Sequence, residues 1–378
     1  MKKRALISVF VKDGILDLAN ALKNADWEIL STGGTAKFLT QNGINVTDVS
    51  DVTGFPECLD GRVKTLHPKI HAGILAMREN ADHMKTIEEL GVTPIDMICV
   101  NLYPFFDKVQ AGLTFEETVE FIDIGGPTML RAAAKNFQDV IVLTDPADYA
   151  ETISAINAQP SAGAACVSKE FKRRLAGKVF NLTSAYDAAV SRFMLEEELP
   201  TYYDMPLVKS QSLRYGENPH QKAAFYKETT LVPGSLAAAE QLHGKELSYN
   251  NINDANGALD LLREFDVRDR AAVIAVKHAN PCGVGLGSSV LEAYLHAYNA
   301  DPVSIFGGII ACNREIDADT AREISKIFLE IVIAPSFTDE ALEIIEAKKN
   351  IRILSSAKLP CNRIIIKCGL ICFTKPYH

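Results

Sequence analysis

A lysine and a histidine stand side by side at Lys277 and His278, where the apolar run AAVIAV gives way to the turn-forming residues NPCGVG. The end of a buried strand is a costly place for an ammonium group, because desolvation disfavours its charged form. The pair is therefore either a reactive site or a solvated dipeptide. Without other motifs, the second interpretation is the more frequent one.

The segment STGGTAK, at residues 31–37, follows a predicted strand and opens a predicted helix. Its glycines allow backbone N–H groups and the helix N-terminus to face an anion. An ordinary strand-to-helix turn would explain the same glycines. However, Ser8 and Lys12, at the end of the first predicted strand RALISVF, favour a phosphate site.

The segment GRVKTLHPKIHAG is rich in cationic and imidazole side chains. They are Arg62, Lys64, His67, Lys69 and His71. His67 and His71 have the i, i+4 spacing of helical metal ligands, but Pro68 disfavours a helical conformation at His67. The sequence therefore does not favour a metal site here.

Two further segments place polar side chains beside predicted elements. NLYPF puts Asn101 and Tyr103 just past the strand IDMICV, and open parallel sheets bind ligands at the carboxyl ends of their strands. IDIGGPTMLRAAAKN puts Asp123 ahead of a Gly-Gly-Pro helix start, with Arg131 and Lys135 on the helix body. An aspartate in that position most often contacts the helix N-terminus.

The elements that must position these side chains alternate along the chain. The predicted strands of the first part are RALISVF, WEILS, IDMICVN and DVIVLTD, and its predicted helices are GILDLANALKNA and TMLRAAAKNF. Such alternation is typical of a parallel sheet with helices on both faces. A long helical pattern from about residue 168 to 198 is followed by an aperiodic segment, which predicts a domain boundary near residues 199–205. Beyond it, AAVIAV predicts a strand, and DADTAREISKIFLEI and TDEALEIIEAKK predict helices.

Length and composition restrict the class of protein. The chain has 378 residues, 47% of them hydrophobic and 23% charged, which is typical of a globular protein of two domains. A net charge of -9 argues against a general attraction to nucleic acid or anionic membranes. No apolar segment approaches the roughly 20 residues that span a bilayer. The 8 cysteines have no zinc-type spacing and suit reduced thiols, so we expect a cytoplasmic protein.

Several of these segments, in this order and spacing, resemble the bifunctional AICAR transformylase/IMP cyclohydrolase family of purine biosynthesis. STGGTAK, GRVKTLHPKIHAGIL, NLYPF and IDIGGPTMLRAAAKN are similar to its cyclohydrolase part, and LRYGENPHQ, KHANPCGVG and FGGIIA to its transformylase part. The resemblance runs from about residue 4 to about residue 354. It implies an α/β chain: a Rossmann-like, methylglyoxal synthase-like layered domain, then an incomplete cytidine deaminase-like α/β domain.

The resemblance implies that the first domain closes a ring. The carboxamide nitrogen of formyl-AICAR attacks its own formyl carbon, and water is lost to give IMP. Lys64 and Thr65 would lie beside the reacting carbonyl, and Asp123 with Lys135 would transfer protons. The other implied residues, which bind the phosphate or line the pocket, are Ser8, Lys12, Thr32, Gly33, Gly34, Thr35, Arg62, Asn101, Tyr103, Gly125 and Gly126.

The resemblance also gives the Lys277–His278 pair a role in formyl transfer from 10-formyltetrahydrofolate to AICAR. His278 would take the proton from the 5-amino group, and Lys277 would stabilise the oxyanion and the leaving group. The folate is a co-substrate, and no tightly bound cofactor is implied. The implied binding residues are Arg214, Tyr215, Asn218, His220, Phe306, Gly307 and Glu330.

The chain departs from the family pattern in two places. Relatives usually have SVSDKTG where this chain has SVFVKDG, so we expect Phe10 and Val11 to weaken phosphate binding. After KKNIRILSSAK the chain runs LPCNRIIIKCGLICFTKPYH, where the family continues differently. We expect an aberrant tail from a frameshift, a truncation or a gene-model error near residue 356, with a genuine shortened isoform as the alternative.

Together these features predict three segments and one main activity. We expect a cyclohydrolase domain at residues 1–199, a partial transformylase domain at residues 200–356 that is inactive, and an aberrant tail at residues 357–378. Two alternatives stay open: a lyase acting on a small phosphorylated carbonyl compound, and a catalytically dead ribotide-binding or scaffold chain. The expected partners are purine ribotides, folate and a second copy in a homodimer, without nucleic acid, membrane or metal.

Overall fold

The chain forms two compact units in the computed structural model, Met1–Pro206 and Leu207–His378. The structure describes residues 2–102, 105, 109, 111–195, 197, 200–229, 231–356 and 372–373. Within these ranges, no helix has the length and apolar character needed to cross a membrane.

Five strands of the first unit form one parallel sheet. They are β1 (Arg4–Ser8), β2 (Glu28–Ser31), β3 (Thr47–Asp48), β4 (Met97–Val100) and β5 (Ile141–Leu143). They lie in the order β3-β2-β1-β4-β5. All residues of β4 and β5 are buried, as expected for a parallel sheet covered on both faces. Because the strand order reverses beside β1, a crevice is expected between the carboxyl ends of β1 and β4.

Helices cover both faces of this sheet, as its strand-helix alternation predicts. They are α1 (Ile15–Asn24), α2 (Gly33–Gln41), α3 (Val49–Thr53), α4 (Pro68–Leu75), α5 (Ala81–Glu89), α6 (Phe115–Val119), α7 (Gly125–Lys135), α8 (Tyr149–Ala158) and α9 (Lys169–Met194). The long α9 begins after Ser168, whose hydroxyl accepts the N–H of Phe171 and caps the helix. The four predicted strands and the predicted helices of this part are confirmed.

The second unit contains a mixed sheet and a smaller antiparallel one. Its strands are β6 (Leu207–Leu213), β7 (Ala223–Glu228), β8 (Glu240–His243), β9 (Ala271–Lys277), β10 (Asn280–Gly287), β11 (Ile309–Cys312), β12 (Ile331–Ala334), β13 (Arg352–Ser355) and β14 (Cys372–Phe373). The mixed sheet has the order β10-β9-β11-β12-β13-β8, and the smaller one the order β14-β7-β6. The helices are α10 (Tyr249–Leu262), α11 (Val290–Ala300), α12 (Ala318–Ile324) and α13 (Asp339–Glu346). The predicted α/β class is confirmed.

Two sequence predictions in the second unit are wrong in their extent. The helix predicted over DADTAREISKIFLEI ends at Ile324, and its last residue, Ile331, begins β12 instead. A short apolar run fits a helical period and a buried strand equally well, so periodicity does not separate them. The segment NPCGVG, expected as a turn, belongs to β10, which pairs antiparallel with β9.

The glycines of β10 allow α11 to lie directly on the strand backbone. A Cβ atom at Gly283 would be 2.1 Å from the carbonyl oxygen of Ala297, and one at Gly285 would be 1.9 Å from that of Ala293. Alternate residues of a strand share a face, so both glycines turn toward the same helix. These glycines therefore serve close packing.

Replacement of Gly285 by alanine is expected to lower the free energy of unfolding of the second unit by about 1–3 kcal/mol, because the helix backbone must move away. Gly257→Ala in α10 is the matched control, since its Cβ would make an ordinary contact at 3.5 Å. Urea unfolding followed by hydrogen exchange of β9 amides measures both variants. Equal stability would show that α11 does not pack on the backbone of β10.

Candidate active site

A cleft of about 590 Å³ opens in the first unit beside the carboxyl ends of β1, β2 and β4. Its size is typical of a site for a small molecule. The predicted site residues that line it are Ser8, Lys12, Thr32, Gly33, Gly34, Thr35, Arg62, Lys64, Thr65, Asn101, Asp123, Gly125 and Gly126. The cleft thus brings together most of the residues that the sequence assigns to one substrate.

One end of the cleft has the features of an anion site. Thr35 Oγ1 accepts the N–H of Val9 at 3.1 Å, and the Nζ of Lys12 donates to the same oxygen at 3.1 Å. Thr35 is the third residue of α2, so the Lys12 ammonium group that contacts it lies beside the first turn of this helix. Burial lowers the pKa of Lys12. A bound anion would compensate that desolvation, because an opposite charge favours the charged form.

Asn101 ties the loop after β1 to the end of β4. Its Oδ1 accepts the N–H groups of Phe10 and Val11, the second at 3.1 Å, and its Nδ2 donates to the carbonyl oxygen of Val11 at 3.0 Å. The residue borders the cleft as predicted, but its amide group is bonded to the backbone of the loop. Asn101 therefore shapes the cleft wall.

Lys64 forms an ion pair with a residue that the sequence analysis missed. Its Nζ lies 3.1 Å from Oε1 of Glu57. Gly61, with a φ of 88°, lies against the pair, since a Cβ there would be 2.7 Å from both Glu57 Oε1 and Lys64 Cε. A Cβ at Gly33 would lie 3.4 Å from Lys64 Nζ, so the ammonium group also faces the start of α2.

Asp123 and Thr65 meet at the start of α7. Asp123 Oδ1 accepts the N–H of Gly126 at 2.8 Å, which is the helix contact expected from its position. Its own N–H donates to the hydroxyl oxygen of Tyr186 at 2.8 Å, and burial raises the pKa of Tyr186 to about 12. A Cβ at Gly125 would lie 3.0 Å from Thr65 Oγ1. A carboxylate and a hydroxyl thus face the cleft together.

One predicted catalytic residue, Lys135, does not line the cleft. Lys135 is the exposed last residue of α7, ten residues and about 15 Å along the helix from Gly125. The fold of this unit therefore does not bring Lys135 to the cleft beside Asp123, because the two residues lie at opposite ends of α7. Tyr103 lies outside the described residues.

The histidines near the cleft do not meet as ligands. His67 has extended backbone angles and its Nδ1 accepts the N–H of Lys69, so it caps α4 ahead of Pro68, as the proline predicts. Burial lowers the pKa of His71. Among the described residues, no group of three His, Cys, Asp or Glu side chains has the geometry to hold a metal ion.

In the second unit, Lys277 and His278 lie at the carboxyl end of β9, at the edge of the mixed sheet where β11 and β12 begin. Lys277 Nζ donates to the carbonyl oxygen of Phe306 at 2.8 Å, and His278 is exposed at the turn between β9 and β10. Val276 pairs with Ile309, and Ile309 pairs with Ile331. This register brings Gly307 and Glu330, which precede β11 and β12, to the same edge.

Arg352 is a further residue of this edge that the sequence analysis did not identify. Its Nη1 lies 2.7 Å from Oε2 of Glu330, and its side chain is 12% exposed. The carboxylate assigned to substrate binding therefore already has a cationic partner. No sequence spacing indicates the pair, because it depends on the parallel register of β12 and β13.

The predicted ribotide loop LRYGENPHQ forms a separate group. Arg214, Asn218 and His220 are exposed, and Arg214 lies 5.9 Å from the ring centroid of Tyr215. Gln221 closes the loop, because its Oε1 accepts the N–H of Asn218 at 2.8 Å. No hydrogen bond between described residues joins this loop to Lys277 or His278.

Two family models match the chain. One described as AICARFT/IMPCHase bienzyme matches residues 133–367, and an MGS-like domain matches residues 14–128. The first match begins inside the first unit and extends beyond the predicted boundary at residue 356.

Curated relatives match almost the whole chain. "Bifunctional purine biosynthesis protein PurH" of Clostridium acetobutylicum is 59% identical over 95% of this chain and 70% of its own length. The proteins of the same name from Clostridium botulinum strain Kyoto and Acetivibrio thermocellus are 57% and 56% identical, over 94% and 95% of this chain and 69% and 70% of their own lengths. The chain thus spans about 70% of the relatives' length.

Solved structures give weaker matches. The "Crystal structure of ForH" is 35% identical with a TM-score of 0.46 and covers 52% of this chain and 100% of its own. A dCMP deaminase from the cyanophage S-TIM5 is 16% identical with a TM-score of 0.22, over 27% of this chain and 94% of its own. Neither TM-score is high enough to establish a shared fold.

Inorganic phosphate is expected to slow hydrogen exchange of the amides at residues 32–35. Lys12→Met should weaken phosphate binding at least about tenfold, because one partly buried cation is lost. Lys37→Met is the control, because it removes an exposed lysine from α2. The affinity of this variant for phosphate should stay near that of the parent.

The same binding should depend on pH in a defined direction. A neutral lysine no longer attracts an anion, so affinity should fall as the pH rises toward the pKa of Lys12, which burial lowers below the ordinary lysine value. Isothermal titration calorimetry at increasing pH measures the effect. In the hydrogen-exchange experiment, protection by phosphate confined to the segment around Arg214 would instead assign phosphate binding to the second unit.

Proposed function

The chain belongs to the AICARFT/IMPCHase bienzyme family, and we propose that its first unit closes formyl-AICAR to IMP. The observation that supports this most is the cleft, which has a cationic anion-binding end and a polar end formed by Lys64, Thr65 and Asp123. A ribotide offers matching chemistry, with a phosphate at one end and the reacting carboxamide and formyl groups at the other.

Ring closure requires attack by a weak nucleophile within one molecule. The carboxamide nitrogen forms a bond to the formyl carbon and loses one proton, and the formyl oxygen, which gains negative charge, takes up a proton to become a hydroxyl. The hydroxyl then leaves as water with the proton of the 5-formamido nitrogen, and a carbon–nitrogen double bond forms. Lys64 is suited to donate a hydrogen bond to that oxygen, and Asp123 to accept the nitrogen's proton. The anion site would hold the folded substrate, which accounts for much of an intramolecular rate advantage.

Glu57 adds a condition to this scheme. In the unliganded cleft the ammonium group of Lys64 is paired with the Glu57 carboxylate. The developing oxyanion must therefore share Lys64 with Glu57 or displace it. The Lys64 and Glu57 side chains are 28% and 44% exposed, so solvent screens their attraction. Such a partly solvated pair contributes little stability by itself, and its displacement costs little free energy.

We propose formyl transfer as the chemistry assigned to the second unit. Lys277 would stabilise the transferring carbonyl, and His278 would take the proton of the attacking amine, with 10-formyltetrahydrofolate as donor. Their common edge with Gly307 and Glu330 supports this assignment. The exposure of His278 argues that this polypeptide alone gives the reacting groups little protection from water.

Two other functions remain as alternatives. The MGS-like match at residues 14–128 favours a lyase on a small phosphorylated carbonyl compound, whereas the KTLHP and IDIGG segments argue against it. A catalytically inactive ribotide-binding chain would bind in the cleft without turnover. An absorbance assay of formyl-AICAR conversion separates ring closure from both alternatives, and turnover of a small phosphorylated carbonyl compound separates the lyase from the inactive chain.

We further propose a homodimer in a reducing, cytoplasmic environment. The cysteines Cys58, Cys99, Cys166, Cys282 and Cys312 are all free. Structural disulfides form mainly in oxidising compartments, so free thiols suit this location. Sedimentation at several concentrations tests the dimer.

Lys64→Ala is expected to reduce ring closure at least about 100-fold without unfolding the chain, because it removes one preorganised donor. Lys69→Ala changes a lysine of the same segment that does not line the cleft, and its turnover should stay within about threefold of the parent. Conversion of formyl-AICAR and the circular dichroism melting curve are measured on each variant. Turnover of the Lys64 variant within a few-fold of the parent would remove Lys64 from the mechanism.

The two activities of the 378-residue polypeptide are expected to separate. Ring closure needs only the first unit, whereas formyl transfer needs two substrates held around an exposed turn, where a misplacement of about 1 Å costs on the order of 100-fold. IMP formation from supplied formyl-AICAR and tetrahydrofolate release with AICAR are measured on one sample. Brisk folate release would contradict this expectation.

A further inference from the structure

The turn that carries His278 has an unfavourable backbone conformation for its sequence. Lys277 and Asn280 are paired across β9 and β10, so His278 and Ala279 alone form the connection. Their φ angles are 54° and 58°. Two-residue turns with positive φ at both positions strongly prefer asparagine and glycine, because a Cβ is disfavoured there. The surrounding structure must therefore hold His278 and Ala279 in place.

Asp254 of α10 supplies the contacts that hold this turn. Its Oδ1 accepts the N–H of Ala279 at 2.8 Å, and its Oδ2 accepts the N–H of His278 at 3.2 Å. One carboxylate thus binds both consecutive N–H groups of the turn. Hydrogen bonds to a charged acceptor are stronger than neutral ones. The turn is therefore held by a residue distant in sequence.

Other contacts fix the remaining parts of the hairpin. Asn280 Nδ2 donates to the carbonyl oxygen of His278 at 2.8 Å, and Lys277 Nζ donates to Phe306 at 2.8 Å. Gly257 lies one helical turn after Asp254, and its Cβ position is 3.5 Å from the carbonyl oxygen of Ala279. The same face of α10 therefore contacts the turn at two points.

We propose that Asp254 is the positioning residue that sets the conformation of the His278–Ala279 turn and thereby the direction of the His278 imidazole. This inference rests on the proposed role of Lys277 and His278 in formyl transfer. A general base must lie within hydrogen-bond reach of its proton, and an unsupported hairpin tip would offer many orientations. Asp254 acts through the backbone and does not itself contact the substrate.

The first test is hydrogen exchange in the complete chain. Asp254→Asn keeps the side-chain shape but loses the charge and one acceptor oxygen, so exchange of the His278 and Ala279 amides should accelerate at least about tenfold. Asp260→Asn makes the same chemical change two turns further along α10, where Asp260 contacts Arg263 and Asn256. Its turn amides should exchange as in the parent. Unchanged exchange in the Asp254 variant would overturn the proposal.

The second test is rescue by glycine. Ala279→Gly removes a Cβ that disfavours positive φ, so in the Asp254→Asn background it should return the HN–Hα coupling constant of His278, which reports its φ angle, to the parent value. If Asp254 only stabilised α10, this change at a distant turn would restore nothing. Failure of the glycine to restore this coupling constant therefore also overturns the proposal.

The link to function is measured separately. Addition of AICAR should shift the His278 imidazole resonances in the parent, much less in Asp254→Asn, and again in the rescued double variant. A shift that persists unchanged in Asp254→Asn would show that the turn does not direct the imidazole. Absence of any shift in the parent would contradict the proposed function of the second unit, while the exchange results still decide the role of Asp254 in the turn.

Discussion

The parallel pairing of β1 with both of its neighbours is the constraint on which the cleft depends. Ile7 pairs with Ser31 on one side and with Cys99 on the other. Because these strands run in the same direction, the segments that follow them emerge at one edge of the sheet. Asn101 then holds the loop after β1 in place with its side-chain amide. A change in this register would separate the anion-binding end of the cleft from its reacting end.

The sequence predicted the elements and most of the cleft residues, since buried strands are apolar runs and the polar motifs follow them directly. It did not predict Glu57, Asp254 or Arg352, because each is defined by a partner that the fold brings near. A carboxylate on an amphipathic helix, such as Asp254, has the same local pattern as a solvated one. The prediction of a turn at the glycines of β10 was wrong for a related reason. Close packing of a helix on a strand and a tight turn both require glycine, so the sequence does not separate them.

Backbone conformations that disfavour side chains are concentrated at the two candidate sites. Among the described residues, the non-glycine positions with positive φ are Asp26, Leu59, Asp60, His278 and Ala279. Leu59 and Asp60 lie in the loop before Lys64, and His278 and Ala279 follow Lys277. Such conformations persist where surrounding contacts hold them, and they are frequent at functional sites. Each unit therefore combines a lysine with a constrained turn.

The loop at Leu59 and Asp60 has a consequence for heat resistance. Relief of a positive φ stabilises a folded chain, and random variation finds such changes easily. A glycine at Leu59 or Asp60 would also give the loop more backbone freedom, so Gly61 and the Lys64–Glu57 pair would be held less firmly beside the start of α2. Selection for survival at high temperature and selection for fast turnover are therefore expected to act in opposite directions at this loop.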